Sequence, residues 1–214
     1  MIGQGALLEC IADPGVGAVL CIGRSKTPVA HVKVRQLQLP DVSDLSSVIG
    51  EVTGFGACFF CLGVSSVGMT EEKYRSLTYD LTLRAARTLA ERNPGMAFIY
   101  VSGVGTDSTE HGRVMWARVK GATENALLKL PFNAAYMFRP GIIVPVHGVT
   151  SRTPLYRFVY AISGPLVPLL RTLFPNQVST TERTGRAMIV CARDGAPKLL
   201  LEPTDIEALV RSRE

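Results

Sequence analysis

At 214 residues, 47% apolar and 19% charged, the chain has the length and composition of one α/β domain with a proper core, and disorder is excluded. The formal charge of +5, without lysine-rich runs, fits an anionic small molecule as readily as a polyanion and carries no nucleic-acid signature. No run reaches the roughly eighteen uncharged apolar residues that a membrane span needs.

The opening MIGQGALLEC lacks the basic and then apolar layout of a signal peptide. Residues 2–11 read as a helix stopped by Asp13-Pro14-Gly15. Gly17–Gly23 is a short buried strand, and His31–Leu39, alternating through Val32, Val34, Leu37 and Leu39, is a second. A short helix at Leu45–Val52 leads to a third strand, Ala57–Leu62. Cys58-Phe-Phe-Cys61 has C-x-x-C spacing, but in a strand residues i and i+3 face opposite sides, which disfavours a redox pair or metal site. The five cysteines, Cys10, Cys21, Cys58, Cys61 and Cys191, read as reduced thiols of a cytoplasmic protein, and no metal centre is expected. Glu71–Arg92 is the best helix, with Thr70 as N-cap, a stripe of Tyr74, Leu77, Leu81 and Ala85, and Asn93-Pro94-Gly95 as its end.

The stretch Ala97–Glu124 organises the rest. Ala97–Val101 is a buried strand, Ser102-Gly103 opens a polar loop, and a helix over about 114–129 sets Trp116 and Lys120 on one face, four residues apart. A strand, a hydroxyl and a helical lysine in that order point reactive groups at the carboxyl edge of a sheet. Taken singly, a serine after a strand is more often a turn residue and a helical lysine more often a solvated charge.

Ala134–Phe138 is a fifth strand, running into Arg139-Pro140-Gly141. Residues 154–175 are apolar, broken by Gly164 and prolines, and punctuated by Arg157 and Arg171; they read as two short helices over the sheet edge, or as a membrane-surface or partner-facing patch. Ser179-x-x-Glu182 and Thr204-x-x-Glu207 read as capping boxes for helices at about 180–192 and 205–212, with a last strand at Lys198–Leu201. Strands alternating with helices, without hairpin signals, predict a doubly wound parallel sheet of the Rossmann type in a single domain over 1–214, with a small helical segment at about 151–178.

A dinucleotide fold begins with a strand and a glycine-rich turn feeding a helix. Met1-Ile2-Gly3-Gln4-Gly5 followed by a helix reads as the tail of such a turn, with the first strand absent. The expectation is that the natural chain starts about 10–15 residues earlier, the length of a strand plus turn, or that a partner chain closes the gap.

Together these pieces resemble the atypical and extended short-chain dehydrogenases/reductases, the NAD-dependent epimerase/dehydratase family, and within it the Tat-interacting-protein-like oxidoreductases. Gly3-Gln-Gly5 resembles the end of the glycine fingerprint. Ile22-Gly23-Arg24-Ser25 resembles the end of the second strand, where an arginine favours NADP over NAD. Asp41 resembles the acid bordering the adenine, and Cys61-Leu62-Gly63 the segment lying along the cofactor. Tyr100-Val-Ser102-Gly resembles the strand bearing the family's serine, Trp116-Ala-Arg-Val-Lys120 its Y-x-x-x-K helix, and Arg139-Pro140-Gly141 the turn flanking the nicotinamide.

The resemblance implies cofactor contacts from Gly3, Arg24, Ser25, Asp41, Leu62, Gly63, Lys120 and Pro140, and catalytic roles for Ser102 and Lys120. It also implies homodimer contacts through the helices at 71–92 and 114–129. Trp116 departs from the pattern: an indole N–H donates but does not titrate, so it cannot replace a tyrosine acid. Asp107, His111 and Tyr100 are the candidate substitutes. Two readings follow: an NADP-dependent (or NAD-dependent) oxidoreductase or epimerase relative with atypical or lost proton chemistry, and a non-catalytic nucleotide sensor or scaffold presenting 154–175 to a partner or membrane.

Overall fold

The computed structural model describes residues 1–146 and 177–212. The 154–175 segment, with its expected helices and patch, lies outside them. Among the described residues every strand pairing is parallel, and helices cover both faces of the central sheet. Strands β1 (Val19–Gly23) and β2 (Val34–Gln38) form one pair. Strands β3 (Ala57–Phe60), β4 (Ala97–Val101), β5 (Ala134–Phe138) and β8 (Leu200–Leu201) form a second sheet in that order. A third pair, β6 (Ile142–Val144) with β7 (Val178–Thr180), was not expected from the sequence. Three-residue strands carry too little periodicity to be read.

The strand alternation assigns each face a core. Ala97 and Ile99 of β4, with Tyr136 and Phe138 of β5, pack under helices α1 (Ile2–Ala12), α5 (Thr181–Asp194) and α6 (Pro203–Arg211). Phe98 and Tyr100, with Ala135 and Met137, pack on the other face against Leu83, Ala86, Leu89 and Leu127 of helices α3 (Leu81–Arg92) and α4 (Met115–Leu127). Buried on both faces, β4 and β5 read as continuous apolar runs rather than alternating ones. Helices α1 and α5 cross closely because Gly5 and Gly185 face each other's backbones: a Cβ on Gly5 would stand 2.6 Å from the Thr181 carbonyl oxygen, and one on Gly185 would stand 2.9 Å from the Ala6 Cα.

The expected helix at 71–92 is present but not uniform. Helix α2 (Glu71–Arg75) is capped by Thr70, whose hydroxyl accepts from the Lys73 N–H, and it passes through a π-turn at Ser76–Asp80 into α3. The extra residue of a π-turn rotates the buried stripe, so Tyr74, Thr78, Thr82 and Ala86 face inward while Leu77 and Leu81 are only partly buried. The 45–52 helix is a 3-10 helix, Ser46–Val52. Two capping assignments shift: Thr180, not Ser179, caps α5, and Glu202 with Asp205, not Thr204 with Glu207, forms the capping box of α6. Pro203 at the first helical position moves that start forward. Ser179 and Glu207 instead bond each other in the interior.

The candidate site at the carboxyl edge

Parallel strands bring their carboxyl ends to one edge, and the residues singled out from the sequence fall there in two groups. The first falls in the lining of a cavity of about 1050 Å³, which includes Gly3, Arg24, Ser25, Leu62 and Gly63. Gly3 lies in the first turn of α1, where a Cβ would stand 3.2 Å from the Cys61 Cβ just past β3. That first turn carries no acidic side chain, so the positive end of the helix dipole is uncompensated by a carboxylate. Gly5 is not in this lining; its small size serves the α1–α5 crossing. Arg24 and Ser25 follow β1, both exposed, and Leu62 is 40% exposed.

The second group stands over β4 and β5. The Ser102 Oγ lies 2.5 Å from Glu124 Oε1 and 3.1 Å from the Phe138 carbonyl oxygen, so the hydroxyl donates into the protein. Lys120 reaches back from α4, its Nζ donating to the carbonyls of Ser102 at 2.7 Å and Val101 at 3.4 Å, 5.6 Å from the Tyr100 ring centroid. Glu124, one turn further along α4, is fully buried and meets Arg139, whose guanidinium also reaches Ser108 and Glu202. Sequence reasoning missed Glu124 and Arg139 as partners. The available signal was the spacing: Lys120 and Glu124 lie on one helical face beside the buried Ala117 and Gly121.

Pro140 is buried at the end of β5, its carbonyl accepting from the Val104 N–H at 3.1 Å. Trp116 is partly buried, its ring edge 3.6 Å from where a Cβ of Gly105 would stand. Asp41 belongs to neither group: it caps its own turn through the Ser43 N–H and hydroxyl, 3.7 Å from Arg84. Of the substitute acids, Tyr100 is 1% exposed and burial pushes its phenol up, out of reach of neutral pH. The Thr109 hydroxyl and the Gly112 N–H hold the Asp107 carboxyl below its usual range, and His111 is exposed in the loop.

Burial lowers the Lys120 ammonium to about 8, partly offset by the Glu124 charge. A lysine whose folded pKa lies below its unfolded value loses its proton first in the folded state, so the unfolded chain binds more protons between the two values. Stability therefore rises with pH across that window. The expected result is that the wild type gains stability relative to Lys120→Met between about pH 8 and the ordinary lysine value near 10.5, and shows no such gain below about pH 7.5. Urea unfolding of both proteins across that range is the check; parallel curves would refute it.

Among the described residues no group of His, Cys, Asp or Glu could hold a metal ion, and no helix is long and apolar enough to cross a membrane. No family model matches the sequence. A curated relative, Protein fmp52, mitochondrial, from Emericella nidulans, is 30% identical over 152 residues, which are 67% of this chain and 63% of that protein. The chain thus spans less than two thirds of that relative's length. The structure is similar to the Bordetella bronchiseptica enzyme WbmF in complex with NAD+, with a TM-score of 0.64 at 14% identity, covering 98% of this chain and 73% of that one. It is also similar to a short-chain dehydrogenase/reductase from Saccharomyces cerevisiae, with a TM-score of 0.65 at 17% identity, covering 97% and 93%.

Proposed function

From a chain with the fold of the short-chain dehydrogenases/reductases and NAD-dependent epimerases, we infer a nicotinamide-dinucleotide-binding protein, NADP-preferring, that lacks the tyrosine acid of those enzymes. The observation that carries this reading is the first group: Gly3, Arg24, Ser25, Leu62 and Gly63, from segments at the carboxyl ends of β1 and β3 and the first turn of α1, line one cavity. The fit is chemical as well as spatial. An acid-free helix N-terminus suits a pyrophosphate, and an exposed arginine after β1 suits a 2′-phosphate. Ser102 and Pro140 follow the carboxyl ends of β4 and β5, and Lys120 bonds the Ser102 carbonyl, which supports a nicotinamide ribose on that side of the sheet. A bound dinucleotide would supply hydride chemistry; this chain's residues supply binding and orientation.

Proton transfer is where the chain departs. Trp116 cannot titrate, the Ser102 hydroxyl is directed at Glu124, and Lys120 is directed at two backbone carbonyls. These favour a sensor or scaffold that binds the nucleotide without turnover. The second reading, an oxidoreductase or epimerase with altered chemistry, draws support from Lys120 itself, whose ammonium, brought down to about 8, could give up a proton near neutrality. Five free thiols support a reducing compartment for either reading.

Fluorescence titration separates the possibilities. NADPH is expected to bind about tenfold or more tightly than NADH, and Arg24→Ala to remove most of that difference while leaving NADH affinity unchanged, as loss of one phosphate-pairing arginine should. A carbonyl-substrate panel run beside it reads turnover. Tight binding without turnover supports the sensor, turnover lost in Lys120→Met supports the enzyme, and no binding of either nucleotide at millimolar concentration rejects both.

A further inference from the structure

Helices α3 and α4 pack side by side on one face of the sheet, and a cleft of about 380 Å³ opens between their outer surfaces. Arg75, Tyr79, Leu83 and Arg87 line it at four-residue steps along α2, the π-turn and α3. Ala122, Ala126 and Lys129 line it from α4 and the turn that follows. Leu83 and Ala122 are buried and Ala126 and Leu130 partly buried, so the floor is apolar. No residue of either group at the carboxyl edge takes part.

The rim is basic. Arg75, Arg87 and Lys129 make no ion pair with a described residue, whereas their neighbours Arg84 and Arg118 pair with Asp41 and Glu71. The Arg75 guanidinium lies 4.0 Å from the Tyr79 ring centroid, which holds it without neutralising it. Both helices return between parallel strands, so they run the same way and put Arg87 and Lys129 at one end of the cleft, Arg75 at the other. The carboxylate in the lining, Glu110, accepts from the Asn125 side-chain amide at 2.8 Å and pairs with none of the three cations. Two cations at one end match a dianion, and the arginine fork suits a phosphate. Inorganic phosphate would leave the apolar floor uncovered; the volume is that of a small organic ligand. A second copy of the chain seated on this face would bury both sets of cations at a desolvation cost. We propose that the cleft between α3 and α4 binds a small organic phosphate monoester, its dianion at Arg87 and Lys129 and its apolar body on Leu83, Ala122 and Leu130.

The probe is phenyl phosphate, titrated by calorimetry into the full chain without nucleotide. It is expected to bind about tenfold or more tightly than inorganic phosphate, which lacks the body, and than benzyl alcohol, which lacks the charge. Arg87→Met and Lys129→Met should each weaken it about fivefold or more, and Glu110→Gln should tighten it about threefold by removing a like charge from the lining. All three substituted side chains are exposed, so the variants keep the fold, which their thermal unfolding checks. Arg24→Ala should change nothing, since Arg24 lies outside the cleft. Phosphatidylcholine–phosphatidate vesicles carry the same monoester on a membrane surface, and the chain is expected not to co-sediment with them.

Binding no tighter than that of inorganic phosphate would make the rim a plain counter-ion surface. Binding that Arg24→Ala abolishes and Arg87→Met leaves intact would move the phosphate to the cavity lined by Gly3 and Arg24. Vesicle binding lost in Arg87→Met would make a membrane the occupant, and a dimer that Arg87→Glu dissociates, with no phenyl phosphate bound, would make it a second copy. Each of these overturns the proposal. No nucleotide is present and no residue is shared with the nucleotide site, so a failed NADPH titration would leave it standing.

Discussion

Arg139→Met is expected to destabilise the protein by about 3–5 kcal/mol, the scale for removing one partner of a buried ion pair. The guanidinium spans four elements. Its Nε lies 3.1 Å from Glu124 Oε1 and its Nη2 2.5 Å from Glu124 Oε2, while Nη1 reaches Glu202 at the start of α6 and Nη2 also meets Ser108 in the loop before α4. The size of the effect follows from what remains. Glu124 is 0% exposed, so losing Arg139 leaves its carboxylate in the interior, bonded to the Ser102 hydroxyl and with the Lys120 charge nearby but without its ion-pair partner. An exposed pair such as Arg118 with Glu71 contributes at most about 1 kcal/mol by comparison. Urea unfolding of Arg139→Met, Glu124→Leu and the double variant reads this directly. The double variant should recover much of the loss, since both charges are then gone; a single-variant loss under about 1 kcal/mol would show that the network is not needed for stability.

Gly121→Ala should cost about 3 kcal/mol or more, at or beyond the upper end of overpacking. A Cβ there would stand 1.8 Å from the Asp107 carbonyl oxygen, 2.5 Å from its carbon and 3.1 Å from the Ser108 nitrogen. All three are backbone atoms, so no side chain can swing aside. The 102–114 loop must lift off α4, breaking the bond from the Asp107 N–H to the Ala117 carbonyl. Gly50→Ala, where a Cβ would meet nothing within 4 Å, is the control and should stay within about 0.5 kcal/mol. Thermal unfolding of both is sufficient; equal shifts would show that the loop yields freely.

The fold was legible wherever a single segment carried its own signal. Ala97–Val101 and Ala134–Phe138 announce themselves because both of their faces are buried and every residue is apolar. The parallel order followed from the alternation of helices and strands. What could not be read depends on pairing across the chain. The β6–β7 pair exists only because residues 36 positions apart meet, and the π-turn at 76–80 is written in no local pattern. At the site, residue types were legible and partners were not. Ser102 and Lys120 were visible as chemistry-bearing groups, but that both turn inward depends on Glu124 and on strand-end carbonyls. In sequence Glu124 is an ordinary helical glutamate; only the docking of Arg139 makes it a buried one.

The small β6–β7 pair also governs how this protein could change. Ile142, Ile143 and Val144 lie in register with Val178, Ser179 and Thr180, and Val146 N–H reaches the Thr181 hydroxyl. The stem is riveted to the body through Ser179 with Glu207 and Arg183 with Glu207. The chain thus departs and returns at one fixed doorway beside the carboxyl edge. Once a doorway is fixed, doubling the length of what passes through it adds only about 0.6 kcal/mol of closure entropy. A change in the length of chain joining the two strands is therefore expected to cost the sheet and the carboxyl edge little.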